Sequence, residues 1–361
     1  MSQYKICVYA ICKNEESFVD RWMDAVSEAD MVVVTDTGST DNTVQKLRDR
    51  GAVVYTEIIQ PWRFDTARNI AMDHIPEDID ICVSNDLDEV FEKGWRQKLE
   101  EAWKPYCTRA RYQFVWSRGS DGNILKQFTM EKIHRRHDFR WVHPVHEVLQ
   151  YGGTDPEHSV WVNGMILNHF PDTSKSRGQY LPLLELSVQE NPKNDRAAFW
   201  LGREYMYYCM YDKCIEALNN YLKMPSAVWT EERSAAMRFI ASCYQEKGES
   251  AIARQWLFKA IAECPNVREA YLQMAQLGYR EKDWPLVMLM VSQGLKITEK
   301  TGSYLYDPKA WGYSLYDLGA ISCYYLGMYR QSFEYATEAC RFEPDNERLK
   351  SNLEFARAKL N

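Results

Sequence analysis

The N-terminal part of the chain alternates short apolar runs with amphipathic segments. Apolar runs predict strands, and apolar residues that recur every three or four positions predict helices. Such alternation is typical of a mainly parallel sheet with helices on both faces, so we expect an α/β domain. The predicted strands are Tyr4–Ile11, Met31–Thr35, Val53–Glu57 and Ile79–Ser84, and the predicted helices are Glu16–Ala29, Thr40–Arg50 and Asp65–His74.

The pattern changes after Trp103, where further strand-like runs follow one another with loops between them. They cover Ala110–Trp116, Lys126–His134 and Val160–Asn168. We expect these strands to complete a Rossmann-like mixed sheet in the first half of the chain.

Beyond about Thr173 the chain is predicted to be helical, with an internal repeat. Small residues recur at Gly202, Ala241, Ala275 and Ala320. Their surroundings match the tetratricopeptide pattern, in which paired helices cross at small residues, and they predict four units, of which the first and third are degenerate. The longer last gap leaves room for an extra segment around Ser303–Gly312. The alternative is a plain helical bundle.

Length, charge and cysteine content narrow the class of protein. A chain of 361 residues favours two domains, predicted at 1–173 and 174–361. A net charge of −7 argues against nucleic acid as a partner. No apolar run approaches the roughly 20 residues of a membrane span, and we expect no signal peptide. The 10 cysteines form no CxxC pair, which favours free buried thiols and a cytoplasmic location.

The most informative segment lies where the apolar run Ile79–Ser84 ends in carboxylates. Asp86, Asp88 and Glu89 follow it almost directly. Acidic side chains at one strand tip repel each other unless a hard cation such as Mg²⁺ or Mn²⁺ shares them. A second strand ends in the turn Asp36–Thr43, and open α/β sheets bind ligands at such tips. The two tips predict a metal-dependent site for a phosphate-bearing molecule.

The turn after the second strand has an ordinary structural explanation. Gly38 permits the turn, and Thr40 or Asp41 can cap the next helix. We expect Asp36 to stay out of this cap and to accept a hydrogen bond from a sugar hydroxyl or a base N–H.

Four segments together resemble glycosyltransferase family 2. They are Ile11–Glu16, Asp36–Thr43, Ala67–Asn69 and Asp86–Glu89, in this order over roughly the first half of the chain. The resemblance implies a GT-A fold and transfer of a sugar from a nucleotide-sugar with inversion. The attached repeats resemble a bacterial subgroup that joins this domain to tetratricopeptide repeats, and some relatives glycosylate peptides or proteins.

The resemblance also implies roles for the matching positions. The nucleoside pocket would be lined by Ile11, Lys13, Asn14 and Glu15, and Asp36 would bind the base or ribose. Arg68 and Asn69 would lie near the nucleotide, with Asp65 and Arg68 fixing the helix start. Asp86, with Leu87 beside it, would face the ribose and the metal, and Asp88 would ligate Mn²⁺ or Mg²⁺ directly.

A second cluster, Arg140–Glu147, contains an aromatic residue followed by His-Pro-Val-His-Glu. His146 and Glu147 have the chemistry of a general base, which an inverting transfer needs for the acceptor proton. Glu147 is the first choice and His146 the second, and the alternative is a structural loop. His169 follows a strand and is the candidate third metal ligand, with packing at a domain junction as its alternative.

We therefore predict an inverting, metal-dependent hexosyl- or N-acetylhexosaminyltransferase. Its donor is a UDP-sugar, and its acceptor is a peptide or protein held by the helical repeats. One alternative is a glycan or lipid-linked acceptor, and another is an interaction protein with a silent transferase domain. Nucleotidyl transfer is disfavoured because the glycine-rich phosphate loop is missing near Ile11–Lys13. The tyrosine-rich repeats leave a homodimer open.

Overall fold

A computed structural model of the protein describes residues 3–119, 122–172 and 178–360. The chain divides into two compact units, Met1–Ser187 and Val188–Asn361. The domain boundary predicted at 173/174 falls outside the described residues and stays a prediction.

The first unit consists of strands and helices in alternation, followed by longer strands. Its strands are β1 (Ile6–Cys12), β2 (Met31–Asp36), β3 (Val53–Thr56), β4 (Ile81–Ser84), β5 (Glu89–Phe91), β6 (Arg109–Arg118), β7 (Ile124–Arg135), β8 (Phe139–Val142), β9 (Val148–Tyr151) and β10 (Ser159–His169). Its helices are α1 (Val19–Val26), α2 (Thr43–Asp49), α3 (Phe64–Asp73) and α4 (Trp95–Ala102). The next helix, α5, covers Tyr180–Glu190.

Among the described residues, eight strands form one mixed sheet in the order β3-β2-β1-β4-β7-β6-β10-β5. β1 pairs in parallel with β2 and β4, and β2 pairs in parallel with β3. β7 is antiparallel to both β4 and β6. A separate antiparallel hairpin joins β8 to β9. This arrangement confirms the predicted α/β mixed sheet.

The sequence explains why β1 lies in the middle of the parallel part. Six of its seven residues are buried, as expected of a strand covered on both faces. α1 buries Val19, Trp22, Met23 and Val26, which share one face because they recur every three or four positions.

Two predicted helices begin later than expected because their first residues serve the loops instead. α1 was predicted from Glu16, but the backbone N–H of Glu16 donates to the Asp41 carboxylate. α2 was predicted from Thr40, whose N–H donates to Asn14 Oδ1 at 2.7 Å. The pattern also missed β5, α4, β8 and β9, which are at most eight residues long.

The second unit is helical. Its elements are α6 (Asp195–Tyr207), α7 (Tyr211–Lys223), α8 (Thr230–Glu246), α9 (Ser250–Glu263), α10 (Arg268–Glu281), α11 (Trp284–Leu295), a 3-10 turn (Pro308–Trp311), α12 (Ser314–Tyr325), α13 (Tyr329–Phe342) and α14 (Glu347–Ala358). Successive helices pack as the pairs α6–α7, α8–α9, α10–α11 and α12–α13. These are the four predicted units, and the 3-10 turn lies in the predicted extra segment.

The small residues lie where paired helices approach closely. A Cβ added at Gly202 on α6 would collide with the side chain of Leu218 on α7. Ala241 and Ala253 are fully buried in α8 and α9. The tetratricopeptide-like class predicted for this unit is therefore confirmed. Within the described residues no helix is long and apolar enough to cross a membrane.

A buried chain of hydrogen bonds lies in the core of the first unit. Trp141 Nε1 donates to the Tyr9 hydroxyl at 2.9 Å, and this hydroxyl lies 3.0 Å from His134 Nε2. His134 Nδ1 lies 2.7 Å from the Arg135 carbonyl, which can only accept, so Nδ1 carries the proton. Nε2 is then the acceptor for Tyr9, and the chain requires a neutral imidazole. Burial lowers the pKa of His134 from 6.5 to about 3.

This lowered pKa predicts a loss of stability in mild acid. Below pH 6.5 His134 is protonated in the unfolded chain but stays neutral in the folded chain. The free energy of unfolding therefore falls as the pH drops toward 3. Between pH 7 and 5 we expect about 2 kcal/mol of the free energy of unfolding to be lost through His134. Urea unfolding at pH 7 and at pH 5 measures this loss. Between these pH values, His134→Gln should lose about 2 kcal/mol less of its free energy of unfolding than the wild type.

His137, whose side chain is 59% exposed, provides the matched control. His137→Gln should keep the wild-type pH dependence. Equal pH dependence in His134→Gln and the wild type would contradict the buried neutral imidazole.

Candidate functional site

The loops after β1 and β2 are joined to each other at one edge of the sheet. The backbone N–H of Asn14 donates to Ser39 Oγ at 2.9 Å, and the N–H of Glu15 donates to Thr43 Oγ1 at 2.7 Å. Asn14 holds a positive φ of 54°, a conformation that asparagine tolerates well. Parallel pairing brings the ends of these strands together, as the sequence predicted. Two of the predicted nucleotide-binding segments are therefore neighbours.

Asp36 lies at the end of β2 and holds its turn. Its carboxylate accepts from the N–H of Gly38 at 3.2 Å and from that of Ser39 at 3.0 Å. The side chain is buried and bonds within the turn, while the cap of α2 is formed without it, as expected. The contact of Asp36 with a sugar hydroxyl or a base stays a prediction. A short acidic side chain readily bonds to backbone two or three residues on. Asp41 does support the start of α2, since its Oδ1 accepts from the Thr43 N–H at 3.0 Å.

Arg68 on α3 is the central residue of the site. Its guanidinium donates to both oxygens of Asp86, at 2.8 and 3.0 Å, and to Glu147 Oε1 at 2.5 Å. The Arg68 side chain is only 7% exposed. One buried cation therefore connects the carboxylate after β4 with the candidate base before β9. The expected role of Arg68 in fixing the helix start is wrong, because its side chain points to these two carboxylates instead.

Lys132 is a second cation in this cluster that was not predicted from the sequence. Lys132 Nζ, on β7, lies 3.0 Å from both Asp86 Oδ2 and Glu89 Oε1. Glu89 is buried and also accepts the N–H of Asp86 at 3.0 Å. β7 is antiparallel to β4, so Lys132 approaches the motif from the neighbouring strand. In the sequence, the one indication of this role is that Lys132 directly precedes Ile133 and His134, the buried residues near the end of β7.

The charges of this cluster set the protonation of its members. Burial would raise the pKa of Asp86, but Arg68 and Lys132 hold it well below its usual range. Burial raises the pKa of Glu89, with Lys132 opposing the shift. Burial would lower the pKa of Lys132, yet Asp86 and Glu89 raise it. At neutral pH, Asp86 is therefore a carboxylate held between two cations.

The loop between β8 and β9 carries the candidate bases. His143 and His146 both have positive φ, at 81° and 50°. Non-glycine residues in this conformation cost energy and are found disproportionately at functional sites. The His146 ring packs 5.6 Å from the ring of Tyr180, and Glu147 is 11% exposed on its side chain. The loop thus holds Glu147 in a fixed orientation against Arg68.

The remaining residues predicted on α3 have structural partners. Asp65 lies in the first turn of α3 and accepts from Arg63 Nε at 3.0 Å, and its role in fixing the helix start stays a prediction. The Asn69 amide donates to the Trp141 carbonyl at 2.8 Å and accepts the Trp141 N–H at 2.9 Å. Asn69 therefore attaches α3 to β8 through its side chain.

The other residues predicted for the nucleotide pocket differ in exposure. Lys13 and Asn14 are exposed, and Ile11 and Glu15 are half-buried. Leu87 is buried in the core between the two aspartates of the motif. Its contribution is therefore packing, which fixes the backbone on either side.

The predicted metal ligands divide into two groups. Asp88 Oδ2 lies 3.3 Å from His169 Nε2, at the end of β10. Trp116 stacks on the His169 ring at 4.4 Å. Asp86 is engaged by Arg68 and Lys132 instead. Across the part of the chain that the structure describes, no group of three metal-ligating side chains is found. The candidate metal pair is therefore Asp88 and His169.

Comparison with known proteins gives the family of the first unit. Residues 7–149 match the family described as Glycosyl transferase family 2. Over 100 residues the chain is 28% identical to the lipopolysaccharide core biosynthesis glycosyltransferase LpsC of Rhizobium meliloti (strain 1021). The match covers 27% of this chain and 36% of that relative, so the chain spans about a third of the relative's length.

Solved helical-repeat structures resemble the chain only loosely. A crystal structure of MamA protein has a TM-score of 0.37 and 16% identity, over 48% of this chain and 87% of that one. The C-terminal part of a TPR repeat-containing protein from Cytophaga hutchinsonii has a TM-score of 0.42 and 14% identity, over 51% and 66%. The assignment of the helical unit rests on its own helix pairs. We conclude that the chain carries a glycosyl transferase family 2 domain at residues 7–149, joined to tetratricopeptide-like helical repeats.

Proposed function

We propose that this protein is an inverting glycosyltransferase that moves a sugar from a UDP-sugar to a peptide or protein. The observation that carries the proposal is the contact of Arg68 with both Asp86 and Glu147. It brings a candidate base to the strand tip at which a donor would bind. A silent domain would have no need to keep three buried or half-buried charges in one cluster, since such clusters are costly to bury.

The donor would lie across the tips of β1, β2 and β4. The loop after β1 and the turn after β2 offer Ile11, Lys13, Asn14 and Glu15 to a nucleoside. The Asp36 carboxylate already accepts from the N–H groups of Gly38 and Ser39. It would bind the base or ribose through the lone pairs of its oxygens that these two bonds do not use. The Asp86 side chain is 26% exposed, which leaves part of its carboxylate accessible to a ribose hydroxyl.

The donor set fits a divalent metal at Asp88 and His169. Asp88 Oδ2 and His169 Nε2 lie 3.3 Å apart, so these two side chains would hold the ion. An imidazole ligand favours Mn²⁺ over Mg²⁺. When bound, the ion would neutralise charge on the leaving diphosphate.

Glu147 is the proposed base. Arg68 donates a hydrogen bond to its Oε1, and the preceding loop turns through His143 and His146, both at positive φ, to bring Glu147 to this position. From this position Glu147 would accept the proton of the acceptor nucleophile as the bond to the sugar forms. His146 is the second candidate, since its ring lies in the same loop.

The acceptor has two candidates. Stacked helix pairs offer a concave surface to a peptide, which supports a protein acceptor and protein glycosylation. The curated relative is named for lipopolysaccharide core biosynthesis, which supports a glycan or lipid-linked acceptor. Transfer assays with a denatured protein extract and with a lipopolysaccharide core oligosaccharide would decide between them. A product on the oligosaccharide alone would contradict the peptide acceptor.

Removing the candidate metal ligand should abolish metal-dependent donor binding. We expect Asp88→Asn to weaken UDP binding in Mn²⁺ at least about tenfold, to the level measured in EDTA, because one ionic ligand is lost. Isothermal calorimetry with UDP, UDP-glucose and UDP-N-acetylglucosamine measures this and ranks the sugars. Asp78→Asn is the matched control, since Asp78 is 68% exposed. UDP binding that does not depend on Mn²⁺ in the wild type would contradict the metal assignment.

Removing the candidate base should separate catalysis from binding. Glu147→Gln keeps the shape of the side chain, so we expect UDP-sugar affinity within about threefold of wild type and a kcat lowered about 10²- to 10⁴-fold. Release of UDP in the presence of acceptor measures the rate. The exposed Glu101 provides a neutral control as Glu101→Gln. If Glu147→Gln retains the wild-type kcat, then Glu147 is not the base, and His146→Gln becomes the test.

A further inference from the structure

Trp116 on β6 is an exposed aromatic residue beside the candidate metal pair. Its ring stacks on that of His169, with 4.4 Å between the ring centres and 27° between the planes. Even so, 44% of Trp116 remains exposed. Because His169 covers one face of the indole, the exposed surface lies mainly on its other face and its edges. An aromatic surface is therefore open to solvent next to a candidate metal ligand.

The strand directions place Trp116 at the same edge of the sheet as the predicted donor segments. β7 is antiparallel to both β4 and β6, and β10 is parallel to β6. The strands β4, β6 and β10 therefore run in one direction, and their carboxyl ends share one edge. Val115 pairs with Asn168, and Trp116 and His169 directly follow these two residues. Open α/β sheets bind their ligands at this edge.

Neighbouring aromatic side chains hold the indole in place from below. The ring of Phe114, which is buried, lies 6.1 Å from that of Trp116 and 5.9 Å from that of His169. Phe128 on β7 lies 6.2 Å from the indole and 5.2 Å from Phe114. A surface that is fixed before binding loses little conformational entropy when a ligand arrives. The indole is thus preorganised to contact a ligand.

Exposure alone would not indicate a ligand at Trp116, since single exposed apolar residues are common on protein surfaces. Trp161 and Tyr106 of the same unit, for example, are 47% and 66% exposed. What distinguishes Trp116 is its direct contact with His169, whose Nε2 lies 3.3 Å from the Asp88 carboxylate. The open aromatic surface therefore adjoins the place where the diphosphate of a donor would bind.

In a nucleotide-sugar, the sugar ring is bonded directly to the phosphate farther from the nucleoside. An ion held by Asp88 and His169 at the diphosphate would therefore lie next to this ring. We propose that Trp116 binds the transferred sugar of the donor by stacking on the apolar C–H face of its pyranose ring. Burial of these C–H groups against the indole is favourable, while the hydroxyls at the rim of the sugar stay free to form hydrogen bonds. This inference rests on the proposed function, because it requires a UDP-sugar donor.

Calorimetry on the full chain in Mn²⁺ tests the proposal, with UDP, UDP-glucose and UDP-N-acetylglucosamine as probes. UDP has the nucleoside and the diphosphate of the donor but lacks the sugar. We expect Trp116→Ala to bind UDP within about twofold of the wild-type affinity, and to bind the UDP-sugar that the wild type prefers about tenfold more weakly. Trp116→Phe keeps an aromatic ring and should lose less affinity for that UDP-sugar. It also provides the test if Trp116→Ala does not fold, as melting temperatures measured in parallel would show.

Trp161→Ala is the matched control, since Trp161 lies on the neighbouring strand β10 and is 47% exposed. It should bind UDP and the UDP-sugars as the wild type does. An equal loss of affinity for UDP and for the UDP-sugar in Trp116→Ala would reduce the role of Trp116 to packing on His169 and overturn the proposal. Wild-type affinity for all three probes would also overturn it. A wild type that does not bind UDP at all would contradict the UDP-sugar donor itself, so failure of the proposed function is distinguishable from failure of this inference.

Discussion

The fold of the first unit depends on how the charge of Arg68 is compensated. This side chain is 7% exposed, and a buried cation without partners would cost several kcal/mol. Its two partners come from distant parts of the chain, Asp86 after β4 and Glu147 before β9. This guanidinium therefore connects the central sheet with the residue that precedes β9, in addition to the bond from Trp141 on β8 to Tyr9 on β1. The same connection assembles the proposed donor site and the proposed base.

Local patterns predicted the elements well where the chain is regular. The parallel strands and the acidic tip after β4 follow from apolar runs that end in carboxylates. The helix pairs of the second unit follow from small residues at repeated positions, as at Gly202, where a Cβ would meet Leu218. Such features depend on neighbours in sequence, or on one partner helix, and a single sequence contains that information.

The partners of the charged residues could not be predicted in this way. Lys132 reaches Asp86 from 46 residues away, and Asn69 bonds to the backbone of Trp141 from 72 residues away. Strand register decides the first contact and the packing of α3 against β8 the second, and neither motif encodes them. The pairing of Asp88 with His169, apart from Asp86, has the same origin.

The central claim is that Arg68 couples the strand tip to Glu147. A double-mutant cycle of Arg68→Met and Glu147→Gln, read as the free energy of unfolding in urea, tests it most directly. We predict that Arg68→Met alone costs about 3–5 kcal/mol, because it removes the cationic partner of Glu147 and one of the two cations at Asp86. The double variant should then cost less than the sum of the single variants, with a coupling energy of at least about 1 kcal/mol. Additive effects within about 0.5 kcal/mol would contradict the account.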